Sequence, residues 1–240
     1  RVEVTDAVVT VNDADSTAVT AKELSDIGAA TTGTVTVTHA VAISGTESEV
    51  TAALVTESSK VDAVKATATI SGNPAITKLN AIAAATTGVV KATLAADTLA
   101  NLGALATDST DSIKVTVNDA DGTAVTATDL SALGNKTAGT VDVTKAVAIT
   151  GSAAELTAAL VTPGSAVGVT DAVVTVNDAD ATAVTAEELY AIGAATTGTV
   201  TVSNAVAISG TESEVTAALV TVGSKVIAAK ATATISGNPA

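Results

Sequence analysis

Between Gly33 and Ser58 the polar–apolar rhythm of the chain changes twice. Thr34-Val35-Thr36-Val37-Thr38 alternates strictly, which is the rhythm of a strand with one buried face. Val41-Ala42-Ile43 reads as a short second strand, closed by Gly45. Thr46-Glu47-Ser48-Glu49 then sets a glutamate three residues after a threonine. This is the sequence of a capping box, in which side chains and backbone at a helix start satisfy one another. Val50, Ala53 and Leu54 follow at helical spacing. The segment predicts one turn of strand, short strand and helix, ended by a return of the kind Thr31-Thr32-Gly33.

The box recurs as Thr20 with Glu23, Thr126 with Asp129, Ser152 with Glu155, Thr185 with Glu188 and Thr211 with Glu214. Asn73-Pro74 reads as a variant, with Asn as cap and Pro at the first helical position, leading into a helix over 76–85. Leu24 with Ile27, Leu79 with Ile82, and Leu99, Leu102 and Leu105 continue the apolar stripe. The pattern is not only recurrent but copied. Residues 5–75 and 170–240 align without a gap and share 61 of 71 residues, with divergent turns in 76–169 between them. Overlaying the motifs gives about nine turns of roughly 27 residues, within the usual range of solenoid repeats. The expected fold is an α/β solenoid with one continuous parallel sheet and helices on its other face. One such turn cannot bury its own apolar side, so each would be stabilised by its neighbours. Residues 1–240 are expected to form a single array. The closing Ser236–Ala240 repeats Ser71–Ala75, which runs straight on into a helix, so the array is expected to be an excerpt of a longer repeat region or to meet further copies of itself end to end.

Composition sharpens this picture. There is no Phe, Trp, Met or Cys and a single Tyr, Tyr190. Small aliphatic side chains suit a thin core repeated layer by layer, whereas a compact globule leans on aromatics. The 25 acidic residues against 11 basic ones give a formal net charge of −14. Nucleic acid as a partner is excluded, because that needs a basic footprint and stacking rings. Without cysteine there are neither disulfides nor thiolate metal sites. No uninterrupted apolar run is long enough to predict a transmembrane segment.

Candidate chemistry is sparse. Asn12-Asp13-Ala14-Asp15 recurs as Asn118-Asp119-Ala120-Asp121 and as Asn177-Asp178-Ala179-Asp180. Asp121-Gly122 gives the second copy the look of a calcium loop. Calcium takes 6–8 oxygens, and each loop offers three side chains plus carbonyls. Two readings stay open: calcium held at Asp13, Asp15, Asp119, Asp121, Asp178 and Asp180, or corners in which Asn and Asp bond backbone. The pairs Thr34/Thr36, Thr67/Thr69, Thr199/Thr201 and Thr232/Thr234 could form outward ladders similar to those of ice-binding solenoids, or reflect ordinary strand propensity. Lys91, Lys114 and Asp142 interrupt the comparable strands. His39 is the only histidine and Asn204 replaces it in the other copy, just as Tyr190 replaces Ser25. No Ser/His/Asp arrangement can be built from that, and no phosphate-binding glycine loop occurs. No enzyme and no resident cofactor are expected.

Glu23-Leu24, Ile27-Gly28-Ala29-Ala30-Thr31-Thr32-Gly33-Thr34-Val35, and Ile43-Ser44-Gly45-Thr46 with Glu49-Val50 resemble the long Ala/Thr/Val/Gly tandem repeats of very large secreted or surface proteins of bacteria, notably cyanobacteria. The resemblance implies export, an extracellular or cell-surface location, and a role as scaffold or adhesin with cell-surface or polysaccharide contact. The expected function is an extracellular structural segment of a filament, sheath, surface layer or adhesin. The alternative is a ligand- or calcium-binding solenoid module with an adhesive or ice-binding surface.

Overall fold

A computed structural model describes residues 5–164 and 167–237 of the chain. The fold is α/β, and every pairing resolved between named strands is parallel. It divides into two compact units, one of residues 1–95, 104–115 and 136–139, the other of 96–103, 116–135 and 140–240.

In the first unit the chain runs β1 (Val9–Val11), β2 (Ala18–Thr20), α1 (Ala21–Ala29), β3 (Val35–Val37), β4 (Ala42–Thr46) and α2 (Glu47–Leu54). A 3₁₀ turn at Glu57–Ser59 precedes β5 (Val61–Asp62), β6 (Thr67–Ser71), α3 (Ile76–Ala85), β7 (Val90–Thr93) and the start of β8 (Ser112–Val117). First strands stack on first strands: Val9 lies beside Val35, and Val35 beside Val61. Second strands form their own ladder, Ala18 beside Ala42 beside Thr67. Helix α1 packs on α2 and α2 on α3. The period-two alternation places Val35, Val37, Ile43 and Ala68 inward. There they meet Leu24, Val50, Ala53, Leu79 and Ile82 from the helices, all fully buried.

The second unit contains α4 (Leu99–Leu102), β9 (Ala124–Thr126), α5 (Ala127–Gly134), β10 (Val141–Val143), β11 (Ala148–Gly151), α6 (Ala153–Leu160) and β12 (Val167–Val169). It continues with β13 (Val173–Val176), β14 (Ala183–Thr185), α7 (Ala186–Ala195), β15 (Val200–Val202), β16 (Ala207–Thr211) and α8 (Glu212–Leu219). A 3₁₀ turn at Val222–Ser224 leads to β17 (Val226–Ile227) and β18 (Thr232–Ser236). Strands β9, β11, β13, β15 and β17 form one parallel sheet, and β14, β16 and β18 another. Helices α5, α6, α7 and α8 pack side by side in chain order.

The strands fall into four sheets, of three, seven, five and three strands, so the expectation of one continuous sheet is corrected. The reason is local. Each regular turn brings two strands separated by a corner, and each strand stacks on its own kind. The two columns also hand over. Strand β6, a second strand, pairs with β7. Strand β13 pairs with the second strand β11 on one side and with the first strand β15 on the other.

Five capping boxes form with both reciprocal bonds, at Thr20, Thr46, Ser152, Thr185 and Thr211. The Thr126 hydroxyl accepts from the N–H of Asp129. Two local expectations change. Strand β4 runs through Gly45 to Thr46, which is extended and caps α2 at once. Helix α3 is capped at Ala75, not Asn73. Gly72, at φ +80°, turns the chain early, and the Asn73 amide instead donates to the Thr93 carbonyl. The Glu47 carboxylate supplies the missing acceptor, taking the N–H of Ala75 at 2.6 Å.

Candidate functional site

The conspicuous polar residues of the repeat converge on the corners and returns of the turns. At each Asn-Asp-Ala-Asp corner the last aspartate reaches the next turn. Asp15 accepts the N–H of Ala40 at 2.8 Å, Asp121 that of Ala146 at 3.1 Å, and Asp180 that of Ala205 at 2.8 Å. The following residue reciprocates: the N–H groups of Ser16, Gly122 and Ala181 each donate to the carbonyl of that same alanine at 2.9 Å. This two-bond clasp needs the residue after the aspartate in the left-handed region. Ser16, Gly122 and Ala181 have φ of +64°, +73° and +61°. Gly122, which lends its corner the look of a calcium loop, therefore serves a backbone shape that all three corners share.

The middle aspartate faces the preceding turn. Asp178 accepts the N–H of Ala153, the first residue of α6, at 2.7 Å. Asp119 accepts that of Leu99, the first residue of α4, at 2.7 Å. A carboxylate there answers both the unsatisfied N–H groups and the positive end of the helix dipole. Among the described residues none donates to the Asp13 carboxylate. The structure thus brings the six candidate aspartates into three separate corners and gives five of them a backbone donor. Among the described residues no group of three or more His, Asp or Glu side chains is gathered to hold a metal.

The returns make a second clasp. Thr31, Thr137 and Thr196 donate through their hydroxyls to backbone carbonyls of the preceding turn, at 2.6–2.9 Å, and Thr86 does the same to Ala66. Each hydroxyl also receives the N–H of the glycine two residues on. A Cβ on Gly33, Gly88, Gly139 or Gly198 would stand 2.2–2.3 Å from a carbonyl oxygen of the preceding turn. Close backbone approach, rather than an unusual φ, is what requires glycine here. Side-chain bonds between successive turns link residues 20 to 32 apart.

Three further groups complete the electrostatics. Bonds from Thr20, Thr46 and Ser152 hold Glu23, Glu49 and Glu155 below the ordinary glutamate range. Burial raises Asp111, although the N–H of Val90 donates to it at 2.7 Å. Lys22 and Asp26 form an exposed pair at 2.6 Å, worth little in water.

Of the expected threonine pairs only Thr201 enters a longer threonine ladder. Thr36 lies between Thr10 and Asp62, and Thr69 between Ser44 and Lys91. Thr234 pairs with Ser209 and Thr232 with Ala207, while Thr34 and Thr199 precede their strands. The longest threonine column is Thr126–Thr150–Thr175–Thr201, ended by Ile227. Of its members only Thr201 belongs to an expected pair; Thr126, Thr150 and Thr175 sit in unlike motifs and are aligned with it only by strand register. His39 is part-exposed with its Nδ1 2.9 Å from the Thr38 hydroxyl, and Tyr190 is exposed. Among the described residues no helix is long and apolar enough to cross a membrane. No family model matches the chain, and neither a curated protein nor a solved structure matches it.

Proposed function

We propose that the chain is an extracellular structural element, a repeat segment of a bacterial filament, sheath, surface layer or adhesin, built as an α/β solenoid of about nine turns. It acts as a load-bearing spacer and not as an enzyme. One observation supports this most: the recurring polar residues are spent on the backbone of a neighbouring turn. Asp180 holds Ala205, Asp178 holds Ala153 and Thr196 holds Ala172. A binding protein would aim such residues outward at a ligand. Here they join layer to layer, which suits a rod whose work is to stay together. The net charge of −14 would keep neighbouring rods apart at low salt.

The test is imaging of native material by negative stain, with antibody labelling of intact cells. Continuous or surface-attached rods carrying the epitope are expected. A dispersed protein found only inside cells would defeat the proposal. The register of Thr126, Thr150, Thr175 and Thr201 favours one second reading, an adhesive or ice-binding face. Thermal hysteresis that disappears in Thr150→Ala and Thr175→Ala would promote it.

A further inference from the structure

The recurring polar side chains are spent on backbone, but one stretch of sheet in the first unit is different. Strands β2, β4, β6, β7 and β8 carry no aspartate or glutamate, in a chain of net charge −14. Register sets Ser44 beside Thr69, Thr69 beside Lys91 and Lys91 beside Ser112. Two residues further along, Thr93 lies beside Lys114. Five of these six residues are exposed and Ser112 is half-buried. Their strand neighbours Ile43, Ala68, Ala92 and Ile113 are buried, so the six share the outer face. Among the described residues none of their hydroxyl or ammonium groups has a hydrogen bond or an ion pair. On the β2 side the free groups end at Thr20 and Thr46, whose hydroxyls are taken by Glu23 and Glu49. Thr69, Lys91, Thr93, Ser112 and Lys114 line a shallow hollow of about 220 Å³.

We infer that this face binds an acidic polysaccharide, a chain of hydroxylated sugars bearing carboxylate or sulfate groups. Lys91 and Lys114 stand one strand and two residues apart, about 8 Å between Cα atoms by strand geometry. Their flexible stems let both ammonium groups reach one anionic group or two neighbouring ones. The serine and threonine hydroxyls both donate and accept, as sugar hydroxyls do. At a strand spacing of about 4.8 Å the row from Ser44 to Ser112 spans roughly 14 Å. It offers one polar group per step, close to the rise of one sugar in an extended glycan. Charge selects among the possible occupants. A nucleic acid needs stacking rings and a broad basic footprint. An anionic membrane is read by clusters of ~4–8 basic residues, and this face has Lys91 and Lys114. A small anion would use the lysines and leave the row of hydroxyls without a partner. The assignment rests on the structural reading and gives the extracellular element an adhesive partner.

The test is calorimetric titration of the whole chain with alginate oligosaccharides in calcium-free buffer of low salt, where charge is least screened. Amide shifts at Lys91, Thr93 and Lys114 locate the contact, and circular dichroism verifies the fold of each variant. Lys91→Gln with Lys114→Gln should weaken binding on the order of 10-fold. Lys78→Gln with Lys145→Gln removes the same charge from exposed positions elsewhere and should leave binding unchanged. Thr69→Val with Ser112→Ala should weaken binding although both lysines remain. No binding, equal weakening by the two lysine pairs, or full affinity without the two hydroxyls would overturn the proposal. Inorganic phosphate or polyglutamate bound as tightly as alginate would reduce the face to a general anion site. Preference for vesicles of phosphatidylserine and phosphatidylcholine would assign it to a membrane. Either result rejects the polysaccharide. If alginate fails to bind while native material still images as rods, the site falls and the structural reading stands; if it binds a protein found only inside cells, the structural reading falls and the site stands.

Discussion

Replacing Gly193 or Gly28 by alanine sets helix propensity against packing, and the structure decides the sign. In an exposed helix interior, alanine is better than glycine by about 1 kcal/mol. Gly193 is inside α7, and an added Cβ would stand 2.1 Å from the Ser224 carbonyl oxygen. At Gly28, in α1, the distance to the Ser59 carbonyl oxygen would be 1.7 Å. Since a Cβ does not sit closer than 3.0 Å to such an atom, helix and turn must part by about 1 Å or more. Neither side yields easily. Ser59 and Ser224 are buried ends of 3₁₀ turns, and the residues that follow, Lys60 and Lys225, are held at φ +58° and +57°. The Lys225 ammonium also anchors that turn to the C-terminal end of α7, at 2.5 Å from the Thr196 carbonyl. Overpacking a tight contact costs about 1–3 kcal/mol. Contacts this far under 3.0 Å against backbone belong to the upper part of that range, about 2–3 kcal/mol, so after the propensity gain of about 1 kcal/mol the net loss should be about 1–2 kcal/mol for Gly193→Ala and larger for Gly28→Ala. Urea denaturation midpoints measure the total. Amide exchange at Val200, whose N–H donates to the Lys225 carbonyl at 2.9 Å, reports the local loss. Gly223→Ala is the control, because nothing lies within 4 Å of its added Cβ. A Gly193→Ala or Gly28→Ala protein as stable as the parent would refute the reasoning.

Asp15→Ala and Asp180→Ala each remove one half of a corner clasp and should cost about 1 kcal/mol by denaturation, since these exposed carboxylates sit at the low end for charged acceptors; a neutral Asp180→Ala would mean that the clasp is not stabilising. Thr46→Ala and Thr211→Ala should each lose about 1 kcal/mol, the usual value of an N-cap, and clearly unequal losses would show that the two copies differ in environment. Chelation should leave the melting curve unmoved, because the corner carboxylates already serve backbone donors; a rise of many degrees on adding calcium would instead make them ligands. Glu23, Glu49 and Glu155 are lowered from 4.5 by their capping bonds, so their contribution is complete above the unfolded value and lost as pH falls through the folded one. Asp97 and Asp108 are lowered for similar reasons, while Asp111 is raised by burial and works the opposite way. Stability should therefore hold from neutral pH to about 5 and decline below it, and denaturation midpoints that rise between pH 4.5 and 3 would contradict this.

The sequence alone determined what depends on neighbours along the chain. Thr46 and Glu49 are three residues apart, so their reciprocal bonds close within one helical turn and need no tertiary partner. Alternation in Val35-Thr36-Val37 fixes which side chains face inward whatever sheet receives them. Helix α3 begins and ends where its stripe predicts, at Ile76 and Ala85. The tertiary structure decided everything that depends on contact across turns. Asn73 looks like a cap by its type, but Gly72 turns the chain first and Glu47 supplies the acceptor from elsewhere. Asp121-Gly122 reads like a calcium loop until the Ala146 N–H is found on the carboxylate and the glycine at φ +73°. Register made a ladder of Thr126, Thr150, Thr175 and Thr201, which sit in unlike motifs, and broke the ladder expected at Thr36 by setting Asp62 beside it. Two strands per turn, each stacking on its own kind, gave four sheets where periodicity predicts one. Periodicity records the inward or outward sense of each residue and carries no information about the angle between successive strands. The Asn-Asp-Ala-Asp corners likewise take their fastening from residues about 25 positions away, a contact that no local pattern in the sequence displays.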